Sequence, residues 1–435
     1  MQAELERLSA LERRLSVRLP ASEIATEVET RLKRLSRTVR LHGFRPGKVP
    51  LKVVAQQFGP QVRQEVLGDA MQRSFGEAVR QQNLRVAGYP RFEPKPLGEG
   101  ETEFEYSAVF EVYPDVVVGD LGSVHIERPV LAVGEAEVDK TIEVIRKQRA
   151  RYEPVERAAR EGDRVILDYR GTIGGAEFPG GSASGQSVTI GERRLLPEFE
   201  EHLVGAKPGE TRTFEVRFPE DYRNAELAGK TARFEVSVKE VAEPRLPPLD
   251  AEFAKSLGVA DGDLARMRAE VKENLEREVR ARLKQRVKDQ VMQKLLEVTA
   301  VEAPRSLVEI EVQRLRSAMR QDLAARGVQV AADAQLPSEL FRAQAERRVK
   351  LGLILAELVR THALQAKPEQ VRAAVEEQAQ SYERPEEVVK WFYGSPERLR
   401  EVESMVLEDN VVAWALSVAR VTEKAIEFDE LMGNR

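Results

Sequence analysis

Val165-Ile166-Leu167-Asp168-Tyr169-Arg170-Gly171 decides how this chain is read. It is a short run rich in β-branched and aromatic residues and closed by glycine, the signature of a strand entering a turn. Working outward from it, similar runs alternate with turn chemistry at Gly174-Gly175, Pro179-Gly180-Gly181, Lys207-Pro208-Gly209 and Phe218-Pro219. One short helix is expected over Pro197 to Leu203. Many short strands around one helix predict a small β-rich domain over Gly162 to Val241. Its large apolar residues, Tyr169, Phe178, Leu195, Leu196, Phe199, Tyr222 and Phe234, sit among turns. Two readings fit them: the core of a small barrel, or an apolar cleft wide enough for a proline ring.

N-terminal to this block, Leu15, Val17 and Leu19 alternate as a strand that Pro20 ends. Ser22 is then expected as the N-cap of a helix carrying Ile24, Val28, Leu32, Leu35 and Val39 and stopping at His42-Gly43. A second helix carries Val62, Val66, Ala70, Met71, Phe75 and Val79, and strict alternation from Phe104 to Val112 gives a closing strand. These elements predict an α+β unit over residues 1–113. Residues 114–155 read as a connector with one helix on Val138, Ile142 and Ile145. C-terminal to the block, Pro244, Pro247 and Pro248 mark an exit linker, and residues 244–435 read as helical, with everything from Asp261 onward helix broken at Pro304, Pro337, Pro368, Pro385 and Pro396. In the first long helix the apolar row from Leu264 to Leu295 advances mostly by four residues. A helix turns about 100° per residue, so this row winds around it and predicts an arm that meets different neighbours along its length. Trp391-Phe392-Tyr393 is expected to anchor a local core. Met267, Met292 and Met319 fit either helix interfaces or an adaptable binding surface.

The chain has 435 residues, enough for about three domains. It is 42% hydrophobic and 32% charged, with net charge −5 and no cysteine. That excludes disulfides, thiolate metal sites and a cysteine nucleophile. The four histidines are scattered, and neither HExxH nor GxSxG occurs. Gly43 to Lys48 fails the phosphate-loop pattern, being one residue short between glycines and having Val49 where Ser or Thr would bind magnesium. No cofactor and no metal are expected. No stretch is long and apolar enough to span a membrane. Met1 to Leu19 mixes Glu and Arg through its apolar positions, so no signal-peptide core is seen there and a cytoplasmic location is expected.

The near-neutral total hides an uneven distribution. Between residues 31 and 52 lie Arg31, Lys33, Arg34, Arg37, Arg40, Arg45, Lys48 and Lys52 with no acidic residue, whereas residues 369–435 have an acidic excess. One anionic docking site is the reading this favours. At its centre is Gly43-Phe44-Arg45-Pro46-Gly47-Lys48-Val49-Pro50, a loop between two helices. Its prolines reduce loop entropy, and a stiff tip costs less to dock. An ordinary inter-helix turn whose Phe44 folds back into a core remains the alternative.

The eight residues Gly43 to Pro50 resemble the signature loop of the trigger factors, bacterial ribosome-associated chaperones. The order Val165 to Gly171, Glu177-Phe178, Leu195 to Glu200, Gly205 to Glu210 and Phe218 to Tyr222 resembles the FKBP-type prolyl isomerases. The trigger-factor resemblance covers essentially the whole chain. It implies an α+β multidomain protein: a ribosome-binding domain over 1–113, a connector over 114–155 packing with the C-terminal domain, an isomerase over 156–243 and a helical chaperone domain over 244–435. Gly43, Phe44, Arg45, Pro46, Gly47, Lys48 and Pro50 would then bind the large ribosomal subunit, protein and rRNA, at the exit tunnel. Tyr169, Phe178, Ile190, Leu195, Leu196, Phe199, Tyr222 and Phe234 would form the catalytic cleft. Nascent and unfolded polypeptides are the implied clients, with self-association off the ribosome as a further implication and a part in cell division as another. Pro46, Pro179, Gln186 and Glu198 depart from residues common in these families.

The implied chemistry suits a chain without an acid–base set. Rotation about X-Pro faces a barrier of about 18–20 kcal/mol from amide resonance. An apolar cleft weakens the polar resonance form and can favour the twisted state without nucleophile or metal. A holdase whose barrel only binds substrate, and a free cytosolic prolyl isomerase, stand as the alternatives.

Overall fold

In the computed structural model the described residues are 2–42, 44, 48–95, 102–222, 224, 226–327, 336–380 and 382–433. The chain divides into two compact units, Met1–Arg128 with Gln285–Glu423, and Pro129–Lys284 with Lys424–Arg435.

In the first unit, β1 (Gln2–Arg7), β2 (Glu12–Pro20), β3 (Val86–Pro94) and β4 (Glu103–Val112) form an antiparallel sheet in the order β1-β2-β4-β3. Helices α1 (Ala21–Thr38) and α2 (Leu51–Gln81) contribute Ile24, Leu32, Val54, Val62, Val66 and Phe75 to the core. Alternation in β2 and β4 brings Leu15, Val17, Phe104, Tyr106 and Phe110 into that same core. The buried Tyr106 hydroxyl shares a 2.7 Å hydrogen bond with Ser74 Oγ and donates to the Met71 carbonyl at 3.1 Å, so its polar atom is satisfied.

The start of α1 corrects an expectation. Ser22 is not the N-cap; Pro20 is, and the Ala21 N–H bonds the Thr102 carbonyl at 2.9 Å. A strand carbonyl thus satisfies one of the first helical donors, and no serine cap is needed. The helix also ends at Thr38, before His42, because Val39 is extended (ψ 140°) and packs against the core. Strands β1 and β3 have no counterpart in the sequence reading.

The chain then forms β5 (His125–Val130) and enters the second unit. Helix α3 (Glu135–Gln148) buries Val138 and Ile142 against Phe253, Val259 and Met267. The β-rich block comprises β6 (Arg151–Pro154), β7 (Arg164–Ile173), β8 (Ala176–Thr189), α4 (Pro197–Leu203), β9 (Thr211–Arg217) and β10 (Thr231–Arg245). Its sheet runs β6-β10-β7-β8, with β9 also paired to β10. The expected helix at Pro197 to Leu203 is α4. Pro244 lies within β10 rather than in a linker; it faces Tyr152 beyond the last β7 partner, Ala242, where β10 has one neighbour only.

Helices α5 (Ala251–Ser256) and α6 (Leu264–Val298) follow. The winding row of α6 meets successive cores as expected. Met267 joins the α3 core, Leu275 and Val279 join Ile426 and Phe428, and in the first unit Val287, Val291 and Leu295 join Ile354, Leu358 and Val411.

Back in the first unit, α7 (Arg305–Ala325), α8 (Glu339–His362), α9 (Pro368–Ala379), α10 (Pro385–Tyr393) and α11 (Pro396–Val418) form the helical body. Pro368, Pro385 and Pro396 each occupy the start of a helix, where a missing N–H costs nothing. The all-helical reading after Asp261 fails at β11 (Arg420–Ala425), which pairs with β5 before α12 (Phe428–Met432) ends the described chain. The aromatic triplet is also corrected. Phe392 packs with the α9–α11 core, but Trp391 is 55% exposed and Tyr393 nearly as open. Met267 and Met292 are core residues, while Met319 is exposed.

Helix α7 starts against the N-terminal sheet. The Glu111 carboxylate accepts the N–H groups of Arg305 (3.0 Å) and Ser306 (2.7 Å), and Ser306 Oγ donates to the Ala87 carbonyl at 2.8 Å. Among the described residues no helix is long and apolar enough to cross a membrane, and no group of three His, Asp or Glu is placed to hold a metal ion.

Candidate active site

The β-rich block encloses a cleft of about 430 Å³. Tyr169 enters from β7, Phe178 from β8, Phe199 from α4 and Phe234 from β10. Leu195 and Leu196 come from the link into α4, and Tyr222 from the loop between β9 and β10. Seven residues named from the sequence therefore converge. The eighth, Ile190, is placed differently: it is buried in the core under the sheet and does not line the cleft. Phe218, Leu227, Pro179, Gly180, Arg194, Pro197 and Asn224 complete the lining. The sequence places Phe218 in a turn before Pro219, yet it is buried.

The rings support one another edge to face. Phe199 lies 5.1 Å from Phe234 and 5.8 Å from Tyr169, and Phe178 lies 6.0 Å from Phe218, centroid to centroid. Tyr222 stacks obliquely on Phe218 at 4.7 Å. Such pairs add about 0.5–1.5 kcal/mol each beyond their area burial and fix ring orientation. Phe199 and Phe234 are buried and form the floor, while Tyr169, Phe178, Leu195, Leu196 and Tyr222 are half-buried and form walls.

Register shifts in the β7–β8 pairing flank Tyr169, where Leu167 faces Gln186 but Tyr169 faces Ala183. Asp168 ties this irregularity together. Its carboxylate accepts from Lys239 Nζ, Ser184 Oγ and the Gly185 N–H, each at 2.7 Å. Lys239, then Ser184 and Gly185, hold the Asp168 carboxyl down to about 2. Tyrosine apart, the lining contains one ionisable side chain, Arg194 at the exposed rim, paired with Glu192 at 2.8 Å. The cleft can therefore bind, desolvate and twist a ligand, but it offers no general base among its described lining residues.

The other candidate site is the loop before α2. Phe44 is 40% exposed, and Lys48 and Pro50 are exposed too. Val49 is buried in the sheet–helix core and anchors the loop's exit. Gly43, Arg45, Pro46 and Gly47 lie outside the described residues. Arg31 pairs with Asp69 at 2.5 Å and Lys33 with Glu29 at 2.6 Å. Arg34, Arg37, Arg40, Lys48 and Lys52 are exposed and have no ion-pair partner among the described residues.

A small antiparallel sheet packed on one short helix, with an aromatic cleft and no acid–base set among its described lining residues, defines a prolyl isomerase domain of the FKBP type. Residues 155–239 match the family model of FKBP-type peptidyl-prolyl cis-trans isomerases, residues 1–145 that of the bacterial trigger factor protein, and residues 263–417 that of its C-terminus. Trigger factors from Nitrosospira multiformis, Thiobacillus denitrificans and Chromobacterium violaceum are 58%, 53% and 53% identical, each alignment covering 100% of both chains. The chain belongs to the trigger factor family. It is a ribosome-associated chaperone with peptidyl-prolyl isomerase activity, and its partners are the ribosome and unfolded chains.

Proposed function

We propose that the aromatic cleft is where isomerisation occurs and that the loop before α2 is where the chain docks on the large ribosomal subunit. In this reading residues 1–113 dock, 114–155 connect, 156–243 isomerise and 244–435 hold unfolded segments. The observation that carries it is the convergence of Tyr169, Phe178, Leu195, Leu196, Phe199, Tyr222 and Phe234 on one cavity. A proline ring rests on Phe199 and Phe234, and the walls strip water from the preceding amide. Loss of solvation weakens the charge-separated resonance form, and a cleft that fits the twisted amide better than either planar isomer lowers the barrier. The Tyr222 hydroxyl donates to a substrate carbonyl. Ile190 acts from behind, as packing.

At the docking site, Phe44 and Arg45 enter ribosomal protein and rRNA at the exit tunnel, flanked by Gly43, Pro46, Gly47, Lys48 and Pro50. Exposed Arg34, Arg37, Arg40 and Lys52, with no ion-pair partner among the described residues, support an rRNA contact, since guanidinium groups bind phosphate as forks. Work at the exit tunnel places the chain in the cytoplasm, and self-association off the ribosome follows from the same family reading.

Two measurements test this. Cosedimentation with ribosomes drops sharply for Phe44→Ala with Arg45→Ala; binding equal to the unaltered chain would remove the docking assignment. Isomerisation of a prolyl peptide slows for Tyr169→Ala and by about tenfold or more for Phe234→Ala, the loss expected when a surface complementary to the transition state is removed. Equal rates would remove the cleft.

A further inference from the structure

We propose that Glu200 is a positioning residue that fixes the Leu195–Leu196 wall of the cleft and thereby sets affinity for the prolyl substrate. The inference rests on the cleft being the site of isomerisation.

Glu200 lies on α4 beside Phe199, part of the cleft floor, and is only 5% exposed. It has no ion pair among the described residues. Its Oε2 instead accepts the N–H groups of Gly191 (2.9 Å) and Arg193 (3.2 Å), and its Oε1 accepts that of Leu195 (3.1 Å). A buried carboxylate is tolerated when such donors replace water. Here all three donors come from one five-residue strip, and every second residue supplies one.

That strip is not held by its own preferences. Gly191 (φ 96°) and Arg193 (φ 54°) both have positive φ, and for arginine this is uncommon and mildly strained. Packing fixes its two ends, with Ile190 buried in the core and Leu195 and Leu196 packed against that core, whereas Gly191 to Arg194 between them are exposed. Arg194, Leu195 and Leu196 face the cleft, while Ile190, Gly191 and Glu192 line a separate cavity of about 680 Å³. The exposed backbone between those packed ends takes its position from the hydrogen bonds to Glu200. One short helix therefore carries both part of the floor, in Phe199, and the tether of the wall, in Glu200. Their spacing defines the gap that receives the proline ring.

The test uses the full chain with a prolyl peptide. In Glu200→Gln one acceptor oxygen becomes an NH₂ facing a backbone N–H. KM rises by about tenfold while kcat stays within about twofold, the pattern of lost uniform binding. Amide exchange speeds up at Gly191, Arg193 and Leu195 but not in β7 or β10. An unchanged KM overturns the proposal, as does a loss of protection shared by β7 and β10, which marks a merely structural role. The unaltered chain supplies a check free of folding defects: those three amides exchange slowly, and exchange as fast as that of a solvent-exposed loop overturns the tether. Phe234→Ala runs in parallel. If it too leaves isomerisation unchanged, the cleft assignment itself has failed and the proposal falls with it; if it slows the reaction while Glu200→Gln leaves KM unchanged, the proposal alone is wrong.

Discussion

Gly171 has no side chain because Phe234 occupies the space. A Cβ there would lie 2.6 Å from Phe234 Cε1 and 3.1 Å from the Gly181 carbonyl oxygen. Gly171→Ala therefore displaces a floor ring of the cleft. The expected cost is about 1–3 kcal/mol of stability, typical of overpacking, visible as a lower melting temperature alongside a slower peptide isomerisation. Full activity would mean that the ring moves freely. Asp168 supplies a second residue-scale prediction. An unperturbed aspartate titrates near 3.9, but this one is held to about 2. Because the folded value is depressed, its contribution is fully present above the unfolded value and is lost as pH falls through the folded one. A carboxyl titration followed by NMR shows the Asp168 midpoint near 2, and Lys239→Ala moves it upward; a midpoint near 3.9 in the unaltered chain contradicts the tie. Tyr169, Phe178, Phe199, Tyr222 and Phe234 stand out in the sequence as large rings between turns, but it was the resemblance to the isomerases that favoured a cleft over a core. Ile190, which only that resemblance suggested, belongs elsewhere: with Val188 it shares the inward parity of the chain leaving β8 and packs in the core. Ser22 misled because its capping role was taken by the Thr102 carbonyl from a distant stretch.

At the scale of elements, the meeting of β3, β4 and α7 behaves as a fitted joint. Gly88 (φ 74°) leaves no room for a side chain, since a Cβ would lie 2.5 Å from Ser306 Cβ. Glu111 meanwhile stands in for the N-cap that Pro304 cannot provide from its own side chain. Glu111→Ala removes an acceptor shared by two helix N–H groups and costs about 1 kcal/mol, as loss of a cap does. Hydrogen exchange in the first turn of α7 quickens, while α8 keeps its protection; an unchanged first turn would show the joint to be redundant. Helices were the legible elements, since their apolar rows and starting prolines stand out. The winding row of α6 even foretold its several cores. Strands β1, β3 and β11 escaped because each lies at a sheet edge, and β11 is almost wholly exposed, so alternation never registers.

For the whole molecule, the sum of charges misleads. A net −5 coexists with five exposed cations around the loop before α2 that have no ion-pair partner among the described residues. Each cation that meets a phosphate steepens the salt dependence of binding by about 0.7–0.9 in a log–log plot. Arg37→Ala with Arg40→Ala should flatten the ribosome-binding slope by up to about 2 in those units while leaving peptide isomerisation untouched. An unchanged slope would mean that protein contacts alone carry the docking. Phe234→Ala should do the reverse, slowing isomerisation with the slope intact.

The discontinuity of the first unit has a consequence for how the protein is made. His125 and the carbonyl of Val124 wait for Thr422 and Arg420, roughly three hundred residues later in the chain. At about 5–20 residues per second of translation, that wait is on the order of 15–60 s. For that interval β5 has an unpaired edge, and Leu121 and Ile126 lack the α11 residues Val411 and Ala415 that help bury them. A protein whose work is sheltering unfinished chains spends part of its own synthesis as one of them.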